Sequence, residues 1–569
     1  MKKRLLLLPL SLLMAGIMCS CTKESENSDK TQIIQSVTVV PDYDDGNVMA
    51  VNGLLEFDCI VTPATALDGI GSDLKDNIVL YSSVVNTKSL SSDPIQIRNA
   101  DVVDAAAGTI RIAAEISNAL NSLGEGETLA VAVSLKNRVS TFTSRFANVT
   151  NRDVTWTEDQ MRTVKSLRKV DRDGYLYEIN YLADYQLDKV LSMNAADLLT
   201  VIDNIKSTIL PNSKYDVLVE LVNIFTQPII DLLSSSGLGC SCFSTGRTGG
   251  GYILGRNYDY PPLNDHSMIV HTPQVKDASG KVIRHATVGC ADLAPLTTVL
   301  QYERGYKTDD MKEFALYSPY FILDGVNDEG LMCGLMILEF DGTFQKPEPG
   351  KLNLINAMLP RVILDKCTTV VEAVDEIKKY TVQTMFAAPN PFGAYTDMHY
   401  VIADATGDRV VVEWVNNEIR VMRPGDADLP DQKGYVLATN FYLSSTNLPE
   451  PFVKERETVK ELGFWRYEQM TKKLSAKESF SREEGMDMLK GIKIMQNDPD
   501  ALEIFDFLYT YPNVLLYGEN HTHWPEWNQK DSWPWITLWS EVYDTETKSM
   551  IYCARENYNE KFTFAIDYK

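Results

Sequence analysis

Over its first 150 residues the chain alternates apolar and polar positions in short runs. Ile34–Val40, Leu54–Val61, Asn77–Val85 and Thr128–Leu135 are rich in β-branched residues and are separated by Asp, Gly, Asn and Ser, the residues of turns. Period two places alternate side chains on opposite faces of a strand. Residues 33–150 therefore read as an all-β, immunoglobulin-like sandwich, without the Cys-Trp-Cys spacing of a true immunoglobulin domain. A different period takes over from Thr157. Leu198, Leu199, Ile202 and Ile205, then Val217, Leu218, Leu221, Val222 and Phe225, recur at helical spacing until Pro228 interrupts. This predicts a helical segment over 155–239 whose apolar faces need a surface to cover. Beyond it, strand-like runs at 252–256, 268–271, 399–403, 409–414 and 549–553 alternate with helical stretches at about 352–365, 368–379 and 454–474. That mixture predicts an α+β domain, stacked sheets flanked by helices, over 240–569.

The N-terminus departs from all three patterns. Lys2, Lys3 and Arg4 precede an apolar stretch from Leu5 to Met18, and Ser20-Cys21 offers a small-residue cleavage site, the layout of a signal peptide over residues 1–20. The apolar stretch is too short to span a bilayer, which takes about 20 residues. The residues around Cys21 resemble a bacterial lipobox with a loose −3 position, which implies lipidation of Cys21; cleavage without lipidation is the plainer alternative. Residues 21–32 are then a polar tether. The expected location is extracytoplasmic, lipid-anchored to a bacterial membrane.

Charge and cysteine usage narrow the partners. The net charge is −24, and loss of residues 1–20 removes three positive charges more. So acidic a surface argues against nucleic acid and against polybasic docking to a membrane. The seven cysteines after Cys21 are odd in number and widely spaced, so they do not read as a disulfide framework.

Candidate chemistry concentrates where the helical segment ends. Gly239-Cys240-Ser241-Cys242-Phe243 is followed by Gly255-Arg256-Asn257-Tyr258-Asp259, so a thiol, a guanidinium and a carboxylate fall within one short hairpin. A nearby cation favours the thiolate, and Arg256 is the candidate; Asp259 is positioned to hold Arg256 and accept from an amine. No His lies between Cys240 and Asp259, so a Cys/His pair has no local support. The α-amine of Cys240, freed by cleavage after Gly239, is a base with an ordinary pKa of about 7.7–8. Plainer readings compete. Cys240 can be a small core residue, Cys242 can be the nucleophile instead, Arg256 and Asp259 can be a structural ion pair, and Asn440 can satisfy a turn. Glu519-Asn520-His521-Thr522-His523 offers metal-ligand types without an evident third ligand, so no metal is expected. The tryptophans at 524, 527, 533 and 535 suit one wall of a substrate pocket.

Cys-Ser-x-Phe followed by Ile253-Leu254-Gly255-Arg256-Asn257-x-Asp259 resembles the opening of the choloylglycine hydrolase family of N-terminal-nucleophile (Ntn) amidases. His399 to Asp404, Val410 to Glu413, Ala438-Thr439-Asn440 and Thr537-Leu538-Trp539 follow in the family's order. The resemblance implies a four-layer αββα sandwich, autoproteolysis at Gly239-Cys240, and a pro-segment that stays bound as a small subunit. It implies Cys240 as nucleophile, Arg256 and Asp259 as its activating pair, Asn440 donating to the oxyanion, and Arg466 as a second arginine. It implies no cofactor and a small-molecule N-acyl amide as substrate; a homo-oligomer is open. Asn327-Asp328-Glu329-Gly330-Leu331 leads to Met336, Ile337 and Leu338, where bile salt hydrolases carry an Asn, which counts against bile salts. Penicillin V acylase or acyltransferase activity, and a non-catalytic ligand-binding lipoprotein, are the alternatives.

Overall fold

The computed structural model describes residues 31–42, 46–70, 74–85, 94–124, 126–152, 156–211, 239–260, 267–293, 309–338, 345–385, 397–415, 417–444, 462–493 and 536–566. The signal and lipobox region with Cys21, the helix expected over 217–225, and the stretch holding His521, His523 and the four tryptophans lie outside the described residues. The chain divides into two compact units, one of residues 1–40 and 53–149, the other of residues 41–52 and 150–569.

In the first unit the runs read as strands are strands. Leu54–Thr62 pairs antiparallel with Thr109–Glu115, which pairs with Ile97–Asp104. Ile78–Val85 pairs antiparallel with Thr128–Lys136. In Thr109–Glu115 the burial alternates, with Ile110, Ile112 and Ala114 inside and the residues between them half-exposed. That is the period-two pattern of a sheet with one face on a core.

In the second unit, two mixed sheets face each other. Among the described residues the first has nine strands, running from Arg168–Lys169 through Leu176–Asn180, Ser267–Thr272, Thr287–Asp292, Ile322–Asn327, Met332–Ile337, Met398–Ala403 and Arg409–Val415 to Glu418–Met422. The second has seven, centred on Gly239–Arg247, Tyr252–Tyr260 and Ile536–Asp544. Leu254, Val401, Met332, Met336 and Val411 are buried between the sheets, in one cluster with Cys240 and Cys242. Leu359–Lys366 packs on the outer face of the first sheet, while Leu462–Leu474 and Arg482–Lys490 pack on that of the second. This is an α+β arrangement of two facing sheets with helices outside them, and it encloses the Cys240 strand in the dry middle layer.

Two expectations change. The segment after Thr157 is not wholly helical: between the helices Glu158–Lys165 and Leu187–Ser192, Leu176–Asn180 forms a strand that pairs parallel with Ser267–Thr272. Its side chains found a sheet edge distant in sequence, which no local period reveals. Likewise residues 352–355 are a strand, Leu352–Ile355, paired with Tyr380–Gln383 ahead of the helix Leu359–Lys366.

Candidate active site

The hairpin expected around Cys240 forms. Gly239–Arg247 and Tyr252–Tyr260 pair antiparallel, with Cys240 opposite Tyr258 and Cys242 opposite Arg256. Period two sends Cys240, Cys242, Arg256 and Tyr258 into the layer between the sheets. A register shift at Tyr258/Asp259 follows, where the strand meets Ile536–Asp544. Ser241 and Asp259 take part in a second set of contacts with Arg466, which arrives on the helix Leu462–Leu474.

Cys240 therefore has two groups of partners. On its sulfur, Arg256 Nη2 approaches to 3.8 Å. On its nitrogen, Asn440 Oδ1 accepts at 2.7 Å. The same Oδ1 accepts from Arg466 Nη2 at 2.9 Å, and Asn440 Nδ2 donates to the Ile337 carbonyl at 2.7 Å. Donors on one side and an acceptor on the other fix the amide's orientation. Asn440 was expected to donate to an oxyanion; its carbonyl end holds the Cys240 nitrogen, and one of its two N–H groups is taken by Ile337.

The ion pairs also differ from expectation. Asp259 does not hold Arg256. Asp259 accepts from Arg466 Nη1 at 2.5 Å and from Thr537 Oγ1 at 2.5 Å. Arg256 is held instead by Asp324 Oδ2 at 2.7 Å and by the Leu335 carbonyl, to which Nε donates at 2.9 Å. Glu541 stands 3.6 Å from the same guanidinium, which also lies 5.0 Å from the Tyr258 ring centre. The sequence reading missed Asp324 and Glu541. Their signal was an acid inside an apolar strand run, Ile322-Leu323-Asp324 and Trp539-Ser540-Glu541-Val542, where burial makes a carboxylate costly unless it has work to do.

Protonation follows from this burial. Burial pushes the Cys240 thiol above its ordinary range, and the pull of Arg256 only partly offsets it; Asp259's charge adds to the rise, while Arg466 and the Asp259 backbone N–H draw it down. A cation alone does not make this thiol a thiolate, so a base is needed. Burial likewise raises Asp259, to about 6, against the pull of Arg466 and Thr537. Burial works against charge on Arg256 too, but Asp324 and its other neighbours overcome it and the guanidinium stays charged. Cys242 is pushed further, well above the thiol range by burial, and packs against Gly334. It behaves as core.

Residues 240–443 match the family model described as linear amide C-N hydrolases, choloylglycine hydrolase family. The chain is similar to the solved structure of a mutant conjugated bile acid hydrolase from Clostridium perfringens, at 17% identity, covering 57% of this chain and 92% of that one with a TM-score of 0.32. A penicillin V acylase from Agrobacterium tumefaciens is similar at 15% identity, covering 55% of this chain and 83% of that one with a TM-score of 0.28.

Two features of the matched segment bear on its chemistry. His399 Nε2 donates to the Thr439 carbonyl at 2.6 Å, and Glu413 accepts from the backbone N–H groups of Leu443 and Ser444 at 3.2 and 2.7 Å. Together they brace the turn that carries Asn440. At the place where an Asn was looked for, Met336 and Leu338 are buried and Ile337 offers its carbonyl to Asn440. Among the described residues, His285, Asp328 and Glu329 form a grouping of metal-ligand types. Asp328 is already engaged there by His285 Nδ1 at 2.7 Å, by Gln274 and by the Ala286 N–H. It reads as a brace between strands.

Proposed function

We propose that the chain is a cysteine amidase that cleaves an N-acyl amide through a thioester on Cys240, after autoproteolysis between Gly239 and Cys240. The observation that carries this is the split coordination of one residue: Asn440 on the Cys240 nitrogen at 2.7 Å and Arg256 on its sulfur at 3.8 Å. Cleavage before Cys240 turns that nitrogen into an amine with a lone pair, already oriented beside its own sulfur. The thiol proton passes to the amine as sulfur bonds to the amide carbon. The carbon–nitrogen bond then breaks, and the ammonium returns the proton to the leaving amine. Water attacks the thioester carbon, losing a proton to the α-amine; the carbon–sulfur bond breaks, the ammonium returns that proton to the sulfur, and the acid departs. A buried, prearranged site of this kind stabilises developing charge without reorganising.

The substrate reading rests on Met336, Ile337 and Leu338, an apolar stretch beside Asn440. It favours a bulky apolar acyl group over a polar one. Residues 1–20 are proposed as a signal peptide and Cys21 as the site of a lipid anchor, which puts the enzyme outside the cytoplasm. The N-terminal unit is proposed as an immunoglobulin-like spacer, a reading supported by its antiparallel strands.

Denaturing mass spectrometry tests the reading. The wild type is expected as two fragments, one ending at Gly239 and one beginning at Cys240, and Cys240→Ala as a single chain. Glycine and taurine conjugates, penicillin V and N-fatty-acyl amino acids form the substrate panel, with turnover unaffected by EDTA because Cys240 supplies both nucleophile and base. An uncut but fully active wild type would overturn the autoproteolysis. Inactivity on every substrate with Cys240 exposed at a free N-terminus would overturn the substrate class.

A further inference from the structure

Arg256 turns Nη2 to Cys240 and Nη1 toward two carboxyl groups in the same dry layer, Asp324 and Glu541, both fully buried. Asp324 is well supplied with donors. Its Oδ2 accepts from Arg256 at 2.7 Å, and its Oδ1 accepts from the Tyr543 hydroxyl and, at 3.3 Å, from the Cys290 N–H. Glu541 is not. It lies directly across the ladder from Arg256, its nearer oxygen is 3.6 Å from Nη1, and the indole N–H of Trp539 is the hydrogen-bond donor beside it. A buried carboxylate so thinly supplied with donors is expensive, but a carboxylic acid brings its own. Both carboxyl groups approach the same nitrogen, Arg256 Nη1, so the acceptor that Glu541 faces is Asp324.

We propose that Asp324 and Glu541 share one proton and together carry the single negative charge that holds Arg256 against the Cys240 sulfur. Both are positioning residues, acting through Arg256. The surrounding charges agree with one proton between them. Burial, then Asp324, push Glu541 well above the carboxylate range. The other titratable groups facing the pair, Cys242, Cys290, Cys333, Tyr543 and Tyr552, are all raised by burial and stay neutral. One guanidinium and one shared negative charge then leave the layer balanced. A second ionised carboxylate would set an uncompensated negative charge beside the sulfur that must become a thiolate.

Infrared spectroscopy of the full chain, unlabelled and with 13C-glutamate, reads the proton directly. The wild type at neutral pH is expected to show a protonated carboxyl band that shifts with glutamate labelling, disappears in Glu541→Gln, and disappears in Asp324→Asn, where Glu541 must ionise to face Arg256. Glu541→Gln, which keeps the shape and the donor and leaves Asp324 as the one charge, is expected to lower kcat/KM and shift the pH profile of thiol alkylation less than Asp324→Asn does. The double variant loses more than the product of the two singles, because only it leaves Arg256 without a carboxylate. Absence of the band, or a loss in a normally folded Glu541→Gln as large as that in Asp324→Asn, overturns the proposal, as do strictly multiplicative effects. The kinetic arm rests on Cys240 as nucleophile, but the infrared arm does not, so failure of one is distinguishable from failure of the other.

Discussion

At Asp259, a carboxyl held at about 6 by burial sits between Arg466 and Thr537, linked to the nitrogen of Cys240 through Arg466 and then Asn440. Ionised, it anchors Arg466, and Arg466 anchors the Asn440 oxygen. kcat/KM is therefore expected to rise through about pH 6 as Asp259 ionises, and again through the Cys240 α-amine near its ordinary value of about 8. Asp259→Asn should remove the lower limb from the pH–rate profile and leave the upper one. The same shift has a stability sign. Between an ordinary 3.8 and about 6, the folded chain holds a proton that the unfolded chain releases, so this group's contribution to stability falls as pH rises across that window. Urea melts on either side of it should show the fall in wild type and lose it in Asp259→Asn. At Arg256 the fork matters as much as the charge, since three separate acceptors are met by Nε, Nη1 and Nη2. Arg256→Lys keeps the charge without the fork. It is expected to slow turnover on the order of 10²-fold and to slow reaction of Cys240 with iodoacetamide at neutral pH.

Strands and helices bring these side chains together through their close approach. At Gly334 the two sheets leave no room for a methyl: a Cβ there would lie 2.9 Å from Cys242 Sγ and 3.2 Å from Arg256 Cδ. Gly334→Ala should cost about 1–3 kcal/mol in a thermal melt, the usual range for overpacking, and should lower kcat more than KM by moving Arg256. The hairpin of Cys240 and Arg256 was legible because both strands carry period-two patterns and a glycine turn between them. The partners of Arg256 were not. Asp324 lies 68 residues after Arg256 and reaches it from the facing sheet, while Glu541 lies far later in sequence and reaches it from the next strand of the same sheet. The strand Leu176–Asn180 escaped for the same reason, since its pairing partner begins at Ser267.

For the molecule as a whole, the segment before Cys240 is built into the catalytic unit. Leu176–Asn180 extends the nine-stranded sheet, the Tyr181 hydroxyl donates to the Leu316 carbonyl at 2.8 Å, and the Tyr185 hydroxyl donates to Asp365 at 2.6 Å. Tyr181, Tyr185 and Tyr320 meet edge to face within this buried contact. After cleavage at Gly239-Cys240 the two fragments should therefore co-elute in native size exclusion and separate only in denaturant. Separation under native conditions would show that the strand and tyrosine contacts do not hold the segment.

By itself the sequence determined the all-β first unit, the α+β second unit and the chemistry clustered at Cys240, because period, turn residues and the neighbours of a nucleophile are local facts. Tertiary structure alone decided which acid serves which arginine. Asp259 is three residues from Arg256 yet pairs with Arg466, and Asp324 reaches Arg256 from another sheet. Alternation along a strand, together with the register shift at Tyr258/Asp259, separates near neighbours onto different partners, and the packing of two sheets unites distant ones. The protonation of the thiol followed the same rule, since the cation that favours its ionisation is outweighed by a burial that no linear reading could weigh.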